Sequence, residues 1–568
     1  MGAERNQAQI SSSENRRRDV DTDRATFCQL VQRAAAESES YVNALGEPHP
    51  FISRFLSFIG WSARSLQDFI VERNGQAERG LISGTQTTPR IQKITHKIWL
   101  TSTDQPHPPP TDYLDAYFEM CESQPADWTH MFWSNSAVVL QLVSALAVNG
   151  GARVFALNID MMALGPIEGT LRRLIADRKF VLAADVLKFV VLGAYGGIYS
   201  DMGFRFDELI LQIALQSDCT FLLASNMFFQ TSFLSLAKGS LLSSVFLGIL
   251  NNPEALSIEY AADESKAVTA GTEVHTFCGL GYTACALLFM PPTARIFAFA
   301  ESSSHKRWTA QQSWYGDKPK FGNVLISDTE PSVLRAEKYQ EFASAASQGM
   351  RTINADGRLT EMARILFKLC QYFQGSPSRL SKLLSYGGSD KCGGWHNYGY
   401  VYSAFLSIFA RQGCTLMEVG DAASLWGSTD SGAPSSSGGS IRVWKEYLSA
   451  STFGVDIDRA LAETFDLSRP VVVNQSERTT IRQELSCRQY DVIIDNGIHS
   501  FEASTLLMEA AQDHLAASGL YVVEAVPVTD IDRWEVHLAR TKRPAFIMSF
   551  PSDVNRQDNC LVLAINSD

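Results

Sequence analysis

The chain has 568 residues, of which 45% are hydrophobic and 19% are charged, and this composition excludes a disordered, collagen-like or coiled-coil protein. Its 49 basic and 61 acidic residues give a formal charge of −12, and the longest basic run is Arg16–Arg18. Because nucleic-acid phosphates require clustered positive charge, we expect no nucleic-acid partner.

The first 90 residues predict a tail followed by helices. Residues 1–25 are polar and charged, which predicts a disordered tail without the apolar core of a secretory signal. Apolar residues at three- and four-residue spacings predict a helical cap over 26–90. No apolar run reaches the roughly 18 residues that a bilayer requires, so we expect no integral membrane segment. Ten cysteines without a Cys-x-x-Cys pair favour a reducing compartment, and the predicted location is cytoplasmic.

Residues 91–334 alternate strand-like and helical patterns, which is typical of an α/β layer architecture. The run 94–100 reads as a strand that a proline-rich loop ends. Asp185 and Lys188 lie one helical turn apart, and a glycine pair then lets the chain turn into a strand ending at Asp201. A nucleotide diphosphate needs a divalent ion held by carboxylate oxygens, so this segment is a candidate nucleotide site.

Together with the motif Ile94-Thr-His-Lys-Ile-Trp99, this pattern resembles the DXD-containing GT-A glycosyltransferases, a family that includes clostridial toxin glucosyltransferases and yeast outer-chain mannosyltransferases. The resemblance implies that Trp99 stacks on a nucleobase, that Asp185 contacts the ribose and that Lys188 supplies the basic group. It places the metal-side positions at Asp201 and at Gly203, which has no side-chain oxygen, so Mn²⁺ or Mg²⁺ would be weakly held. Two alternatives stay open: Trp99 as a plain core residue, and a glycosyltransferase fold with little or no turnover.

Residues 335–379 return to helical spacing and predict a helical connector, and 380–568 carry a second α/β pattern. Because helical stretches separate its strands, this pattern predicts a Rossmann-like, doubly wound sheet that binds ligands at the carboxyl ends of the strands. The glycine- and serine-rich run 427–440 is either a linker or a ligand loop. The predicted strands are Thr415–Val419, Thr452–Asp456, Val492–Asp495 and Leu520–Val523.

Two features of the second pattern suit an adenosine ligand. Gly420 follows the first strand, where the backbone must approach the ligand, and Asp456 closes the next strand, where a carboxylate accepts the ribose hydroxyls. A glycine turn and an acid alone are a weak signal. A longer series of motifs in fixed order strengthens it: Tyr386–Lys391, Trp395–Tyr398, Gly438–Trp444, Tyr490–His499 and Ser518–Glu524.

This series resembles the macrolide sugar O-methyltransferases of the macrocin and mycinamicin type, which are class I S-adenosylmethionine (SAM) enzymes. The resemblance covers about residues 380–530 and implies a set of SAM-binding positions. These are Glu418, Gly420, Ser440, Asp456 and Asp495.

The same resemblance implies a base and a metal site. His499 falls on the general base that deprotonates a sugar hydroxyl, and an ordinary polar residue at a strand end is the alternative. The family binds magnesium through acids that correspond to Asp495-Asn496 and Glu524-Ala525, so Glu524 remains a candidate ligand. Because Asn496 and Ala525 lack carboxylates, magnesium would be poorly held.

The fold predicted is therefore α/β, with an N-terminal helical region, a GT-A type glycosyltransferase-like domain over 91–334 and a class I methyltransferase domain over 380–568. The function predicted is a bifunctional transferase, which transfers a sugar from a nucleotide sugar donor to a sugar-containing acceptor and a methyl group from SAM to a sugar hydroxyl in the biosynthesis of a glycan or glycosylated metabolite. Two rivals stay open: a single active domain beside a binding module, and a non-catalytic carbohydrate-binding scaffold. Nothing in the sequence sets an oligomeric state.

Overall fold

The computed structural model describes two compact units. The first takes its residues from 24–251, 281–287 and 294–310, and the second from 288–291 and 349–566. The described residues are 24–83, 90–150, 153–162, 164–202, 204–206, 208–251, 279, 281–291, 294–300, 308–310, 349–372, 379–389, 391–392, 396, 398–409, 413–420, 439–456, 471–472, 477–485, 488–550 and 558–566.

The strands of the first unit form a seven-stranded mixed sheet and a two-stranded sheet. In the larger sheet the order is β3-β2-β1-β4-β7-β6-β8, with β1 to β4 mutually parallel and β7 antiparallel to both of its neighbours. The strands are Ile94–Trp99 (β1), Thr129–Ser134 (β2), Val154–Asn158 (β3), Gly197–Ser200 (β4), Phe204–Phe206 (β5), Cys219–Leu223 (β6), Phe229–Leu236 (β7), Ile296–Ala300 (β8) and Trp308–Ala310 (β9), where β5 and β9 pair with each other.

Helices cover this sheet, and one of them is almost entirely apolar. Helix α7 buries most of its side chains and packs on β1, β4 and β7, as expected of an element in the centre of a layered fold. It ends at Gly196, whose φ of 68° supports the turn into β4. The helices are 24–43 (α1), Pro50–Phe58 (α2), Ala63–Ser83 (α3), Thr111–Ser123 (α4), Ala137–Gly150 (α5), Glu168–Ala176 (α6), Phe180–Tyr195 (α7), Glu208–Gln216 (α8), Leu241–Asn251 (α9) and Gly281–Phe289 (α10).

The second unit is built on an eight-stranded sheet of order β10-β16-β17-β15-β14-β11-β12-β13. The five neighbouring strands β13, β12, β11, β14 and β15 are parallel to one another, whereas β17 is antiparallel to both β15 and β16. The chain order reverses between β11 and β14, which makes that pair the switch point of a doubly wound sheet. The strands are Met350–Ile353 (β10), Thr415–Val419 (β11), Ser451–Asp456 (β12), Val471–Val472 (β13), Tyr490–Asp495 (β14), Leu515–Val523 (β15), Ala545–Ser549 (β16) and Cys560–Ile565 (β17).

Helices flank this sheet, and a large apolar core lies between α15, α16, α17 and the central strands. The four strands predicted from the sequence are all present, with differences of a few residues at their ends. The helices are Gly357–Tyr372 (α11), Arg379–Tyr386 (α12), Gly399–Phe409 (α13), Gly439–Leu448 (α14), Arg478–Leu485 (α15), Phe501–Ala511 (α16) and Ile531–Thr541 (α17).

The predicted α/β fold class, with an N-terminal helical region, is confirmed, and three details differ. Residues 24 and 25, at the end of the predicted tail, are already helical. The segment 335–379, predicted to be wholly helical, contributes β10, which pairs antiparallel with β16 at the sheet edge. Residues 439 and 440, assigned to a loop, begin α14, whereas the rest of that loop lies outside the described residues.

The expectations about membrane-spanning segments and about cysteines can be compared with the described residues. None of the helices described combines the length and the apolar character needed to cross a bilayer. The cysteines at the described positions are free thiols, and most of them are buried.

Candidate functional site

The first candidate site lies at the carboxyl ends of β1 and β4. Trp99 closes β1, its indole N–H donates a hydrogen bond to the His107 carbonyl at 2.7 Å, and its ring packs against an aromatic cluster that includes Tyr113 and Phe132. The ring is half-buried. Trp99 is thus a packed residue at the carboxyl end of β1, and its role in stacking on a base stays a prediction.

His96, within the β1 motif, is a buried structural residue. Its Nε2–H donates to the Gly196 carbonyl at 2.8 Å, and its Nδ1 accepts from the Trp133 indole at 3.2 Å. Burial lowers the pKa of His96 to about 4, which keeps the ring neutral. A Cβ at Gly197 would lie 2.5 Å from the Ile94 carbonyl oxygen, so close packing against β1 requires glycine there, whereas a Cβ at Gly196 would meet Gln92 and the Lys238 amide.

Asp185 and Lys188 form an ion pair on α7, as the helical spacing predicts. Lys188 is only 1% exposed, and its ammonium also donates to the carbonyl and hydroxyl of Thr231 at 2.9 and 3.1 Å. It lies 4.7 Å from the ring centre of Tyr199. These contacts place Lys188 behind Asp185, where it orients that carboxylate and is itself shielded from solvent.

Asp201 follows β4 directly, one residue beyond the strand end at Ser200. The Tyr199 hydroxyl donates to Asp201 Oδ1 at 2.8 Å, and the Lys97 ammonium donates to the Asp201 carbonyl at 2.6 Å and to Ser200 Oγ at 2.7 Å. Burial lowers the pKa of Lys97 to about 7. Gly203, the other metal-side position, lies outside the described residues. Since glycine has no side-chain oxygen, only Asp201 of these two positions offers a carboxylate.

The second candidate site lies at the carboxyl edge of the parallel strands. Residue pairing aligns Val419 of β11 with Val455 of β12 and with Asp495 of β14, so the residues at these strand ends share one edge. Asp456 closes β12, and Glu524 follows β15. The predicted SAM positions at strand ends are therefore brought together, as a doubly wound sheet requires.

The turn at Gly420 is filled by the protein's own backbone. Gly420 has φ of +80°, and a Cβ there would lie 2.5 Å from Gly497 Cα and 2.6 Å from the Asn496 carbonyl oxygen. The Asn496 N–H also donates to the Val419 carbonyl at 3.0 Å. The sequence explained this glycine by the approach of a ligand, but the structure places the turn after β14 in that space.

Glu418 is fully buried, and three groups satisfy its carboxylate. Ser440 Oγ and the Lys391 ammonium contact Oε1 at 3.0 and 2.9 Å, and the Trp444 indole donates to Oε2 at 2.8 Å. The structure thus joins the predicted positions Glu418 and Ser440. Trp444, for which no role was predicted, makes this polar contact with Glu418 in addition to packing against Tyr402.

Glu524 is buried and paired with a cation. The Lys391 ammonium and the Tyr402 hydroxyl both contact its carboxylate. Burial is the largest cause that raises the pKa of Glu524 above its ordinary value, and the Lys391 ammonium opposes that rise. The predicted metal ligand Glu524 therefore faces a lysine, and among the described residues no group of three or more His, Cys, Asp or Glu side chains is placed to hold a metal ion.

His499 lies beyond the strand edge, in the turn between β14 and α16. It is exposed and has a left-handed φ of 53°. Ser500, the next residue, caps α16 by accepting a hydrogen bond from the Ala503 N–H at 3.2 Å. The cap holds the start of α16, and the imidazole of His499 faces solvent directly before it.

Two lysines at these sites were given no role by the sequence. Lys97 stood in the β1 motif and Lys391 in the motif after α12, but a lysine in a polar motif is ordinarily a solvated charge. Each is 1% exposed in the structure. The sequence offered one indirect signal. Gly203 and Asn496 stand where the resembled families have metal-binding acids, so a positively charged side chain could take the place of the metal.

Comparison with known proteins finds two kinds of transferase. Residues 111–219 match the family model described as a glycosyltransferase sugar-binding region containing a DXD motif. Two curated relatives, each 31% identical, are the 8-demethyl-8-alpha-L-rhamnosyl tetracenomycin-C 2'-O-methyltransferase of Streptomyces olivaceus, over 139 residues, and the L-olivosyl-oleandolide 3-O-methyltransferase of Streptomyces antibioticus, over 138 residues. Each match covers 24% of this chain, and this chain spans only 35% and 34% of the relatives' lengths.

Solved structures of both kinds are also similar. The MycE methyltransferase from the mycinamycin biosynthetic pathway, in complex with Mg, SAH and mycinamycin VI, is 21% identical over 35% of this chain and 46% of its own, with a TM-score of 0.22. The PaToxG glycosyltransferase is 14% identical over 39% of this chain and 77% of its own, with a TM-score of 0.27. The predicted resemblances, to a DXD-type glycosyltransferase in the N-terminal half and to sugar O-methyltransferases, are confirmed. Asp185, Lys188 and Asp201 lie within the matched range, and Trp99 lies before it.

Proposed function

We propose that the chain is a bifunctional sugar-modifying transferase. Its first unit transfers a sugar from a nucleotide sugar, and its second unit transfers a methyl group from SAM to a sugar hydroxyl on a glycan or a glycosylated metabolite. The observation that carries the proposal is the alignment of Gly420, Asp456 and Asp495 at one carboxyl edge, in a chain similar to two sugar O-methyltransferases.

In the first unit, we assign the nucleotide to the edge formed by β1 and β4. Trp99 provides a flat face for the base, and Asp185 accepts the ribose hydroxyls while Lys188 holds its carboxylate in place. A divalent ion, when bound, would neutralise the diphosphate charge. Asp201 would hold that ion through one carboxylate, so phosphate and water oxygens must supply the remaining ligands.

In the second unit, the sulfonium of SAM supplies an activated methyl group. The turn after β14 occupies the Cβ side of Gly420, so we assign the adenosine to the free backbone edge of this turn and to the Asp456 carboxylate. His499 accepts the proton of the sugar hydroxyl as the oxygen–methyl bond forms and the sulfur–methyl bond breaks. Exposure of His499 supports this role, because the acceptor sugar must reach the imidazole from solvent.

The test is turnover by the full chain, measured separately for the two reactions by mass spectrometry. Incubation with a panel of nucleotide sugars and Mn²⁺ reports sugar transfer or hydrolysis, and incubation with SAM and glycosylated acceptors reports methylation. Asp201→Ala should impair only the first reaction and His499→Ala only the second, so each variant is the control for the other.

Two other functions make different predictions in the same experiment. If one unit binds sugar without chemistry, one reaction is absent, and the corresponding variant changes nothing except ligand affinity. If the chain is a carbohydrate-binding scaffold, neither reaction occurs although glycans bind. Absence of either reaction from the parent chain would therefore refute the bifunctional proposal.

A further inference from the structure

A lysine ammonium occupies the acidic end of the second site. Lys391 is 1% exposed, and its ammonium contacts Glu418 Oε1 at 2.9 Å and also the Glu524 carboxylate. Glu524 is one of the positions at which the resemblance to sugar O-methyltransferases implies a magnesium ligand. The cation present at this position thus belongs to the chain itself.

The amide of Asn496 complements this pair of charges. With its oxygen turned toward Lys391, the orientation that satisfies both neighbours, Asn496 accepts from the Lys391 ammonium at 3.3 Å and donates to Glu524 Oε2 at 3.2 Å. An aspartate at 496 would have no N–H to donate, and its charge would repel Glu524. Asn496 is therefore matched to a site that contains a lysine.

The same residues do not suit a divalent ion. Magnesium requires about six oxygen ligands in octahedral geometry, but Ala525 provides no side-chain oxygen and Glu524 is engaged by Lys391 and Tyr402. An ion close enough to share Glu524 would also be repelled by the ammonium in a buried place of low dielectric. The donor set thus disagrees with the metal that the resemblance implies.

We propose that the Lys391 ammonium, held between Glu418 and Glu524, takes the place of the divalent metal, and that the second unit works without metal. Lys391 acts as a positioning residue: it holds Glu418 and Glu524 together and, through Asn496, fixes the turn that leads to His499. The part of this inference that concerns methyl transfer rests on the proposed function, whereas the part that concerns metal binding does not.

The binding test uses the full chain with Asp201→Ala, which removes the acid assigned to a metal in the first unit. Electron paramagnetic resonance of Mn²⁺ should find no bound ion in this chain. Adding Lys391→Met and Asn496→Asp together removes the ammonium and restores a carboxylate, so bound Mn²⁺ should become detectable in the same measurement. Lys391→Arg, which keeps the charge, should leave the chain unable to bind the ion.

The outcome that overturns the inference needs no variant of Lys391. If the Asp201→Ala chain binds one Mn²⁺ and Glu524→Gln abolishes that binding, the ammonium does not replace a metal. The chain with all three substitutions, Asp201→Ala, Lys391→Met and Asn496→Asp, is checked for folding by circular dichroism. If it does not fold, the inference can still be refuted, because the decisive measurement is made with Lys391 intact.

Methyl transfer in chelator separates this inference from the proposed function. Equal rates in EDTA and in excess Mg²⁺ support the lysine cation. Inhibition by EDTA with rescue by Mg²⁺ overturns it and leaves the methyltransferase function standing. Absence of methyl transfer under every condition, with no bound Mn²⁺, refutes the function and supports the metal-free site.

Discussion

Replacing Gly420 with alanine introduces a methyl group where the turn after β14 already lies. The new Cβ would be 2.5 Å from Gly497 Cα and 2.6 Å from the Asn496 carbonyl oxygen, distances at which backbone atoms must move. Gly413 provides a matched control, because its φ of +79° is nearly the same as the +80° of Gly420 and a Cβ there meets nothing within 4 Å.

The loss of folding free energy expected for Gly420→Ala has two parts. Both substitutions place an L-residue in the left-handed region, which costs about 1–2 kcal/mol. Only Gly420→Ala adds overpacking against a backbone, which costs about 1–3 kcal/mol more. Because the displaced turn carries Asn496 and leads to His499, Gly420→Ala should also weaken SAM binding and slow methyl transfer, whereas Gly413→Ala should affect neither.

Urea unfolding of the full chain, followed by tryptophan emission, gives the two stability losses relative to the parent. Calorimetry gives the SAM affinities, and hydrogen exchange at the amides around Asn496 and Gly497 reports displacement of the turn. Equal losses of stability for Gly420→Ala and Gly413→Ala, or an unchanged exchange rate at Gly497, would refute the assignment of close backbone contact.

Three further predictions concern individual side chains. Trp444→Phe removes the indole N–H that bonds to the Glu418 carboxylate at 2.8 Å, so urea unfolding should give a loss about 1.5–3 kcal/mol larger than for Trp534→Phe, a buried control in the same unit; equal losses would contradict the bond. Burial lowers the pKa of both His96 and His130 to about 4, so the unfolded chain takes up protons first, and stability should fall between about pH 6.5 and pH 4, by up to roughly 3 kcal/mol for each ring. Urea unfolding across that range should give a flatter profile for His96→Gln than for the parent, and an unchanged profile would contradict the shift. His499→Ala should lower methyl transfer by about 10²–10⁴-fold with SAM affinity unchanged, and a loss of SAM binding in calorimetry would contradict its role as a base.

Patterns local to the sequence predicted the strands that carry the sites. The run Thr415–Val419 is apolar and followed by glycine, and the structure gives β11 the same bounds. The strand β10 was missed because it has only four residues at a sheet edge, inside a segment whose spacing is otherwise helical. Its pairing with β16 joins residues about 200 positions apart, which no local pattern encodes.

The candidate sites were predicted only in outline. Glu418 and Ser440 were identified through the resemblance, and the structure joins them by a hydrogen bond at 3.0 Å. The roles of Lys97 and Lys391 could not be predicted, because burial of a lysine depends on tertiary contacts and the residue type favours solvent. The role of Asn496 likewise depends on its contact with Lys391, which lies more than 100 positions earlier in the sequence.

The place of β17 in the second sheet affects how the chain acquires its structure during synthesis. Because β17 lies between β15 and β16, the sheet remains open until the ribosome has added Cys560–Ile565. The described strands of the first unit are complete by Ala310, so that unit has all of them long before the second. A domain that waits for a late interior strand exposes apolar edges in the meantime, so the second unit should be the one that depends on chaperones.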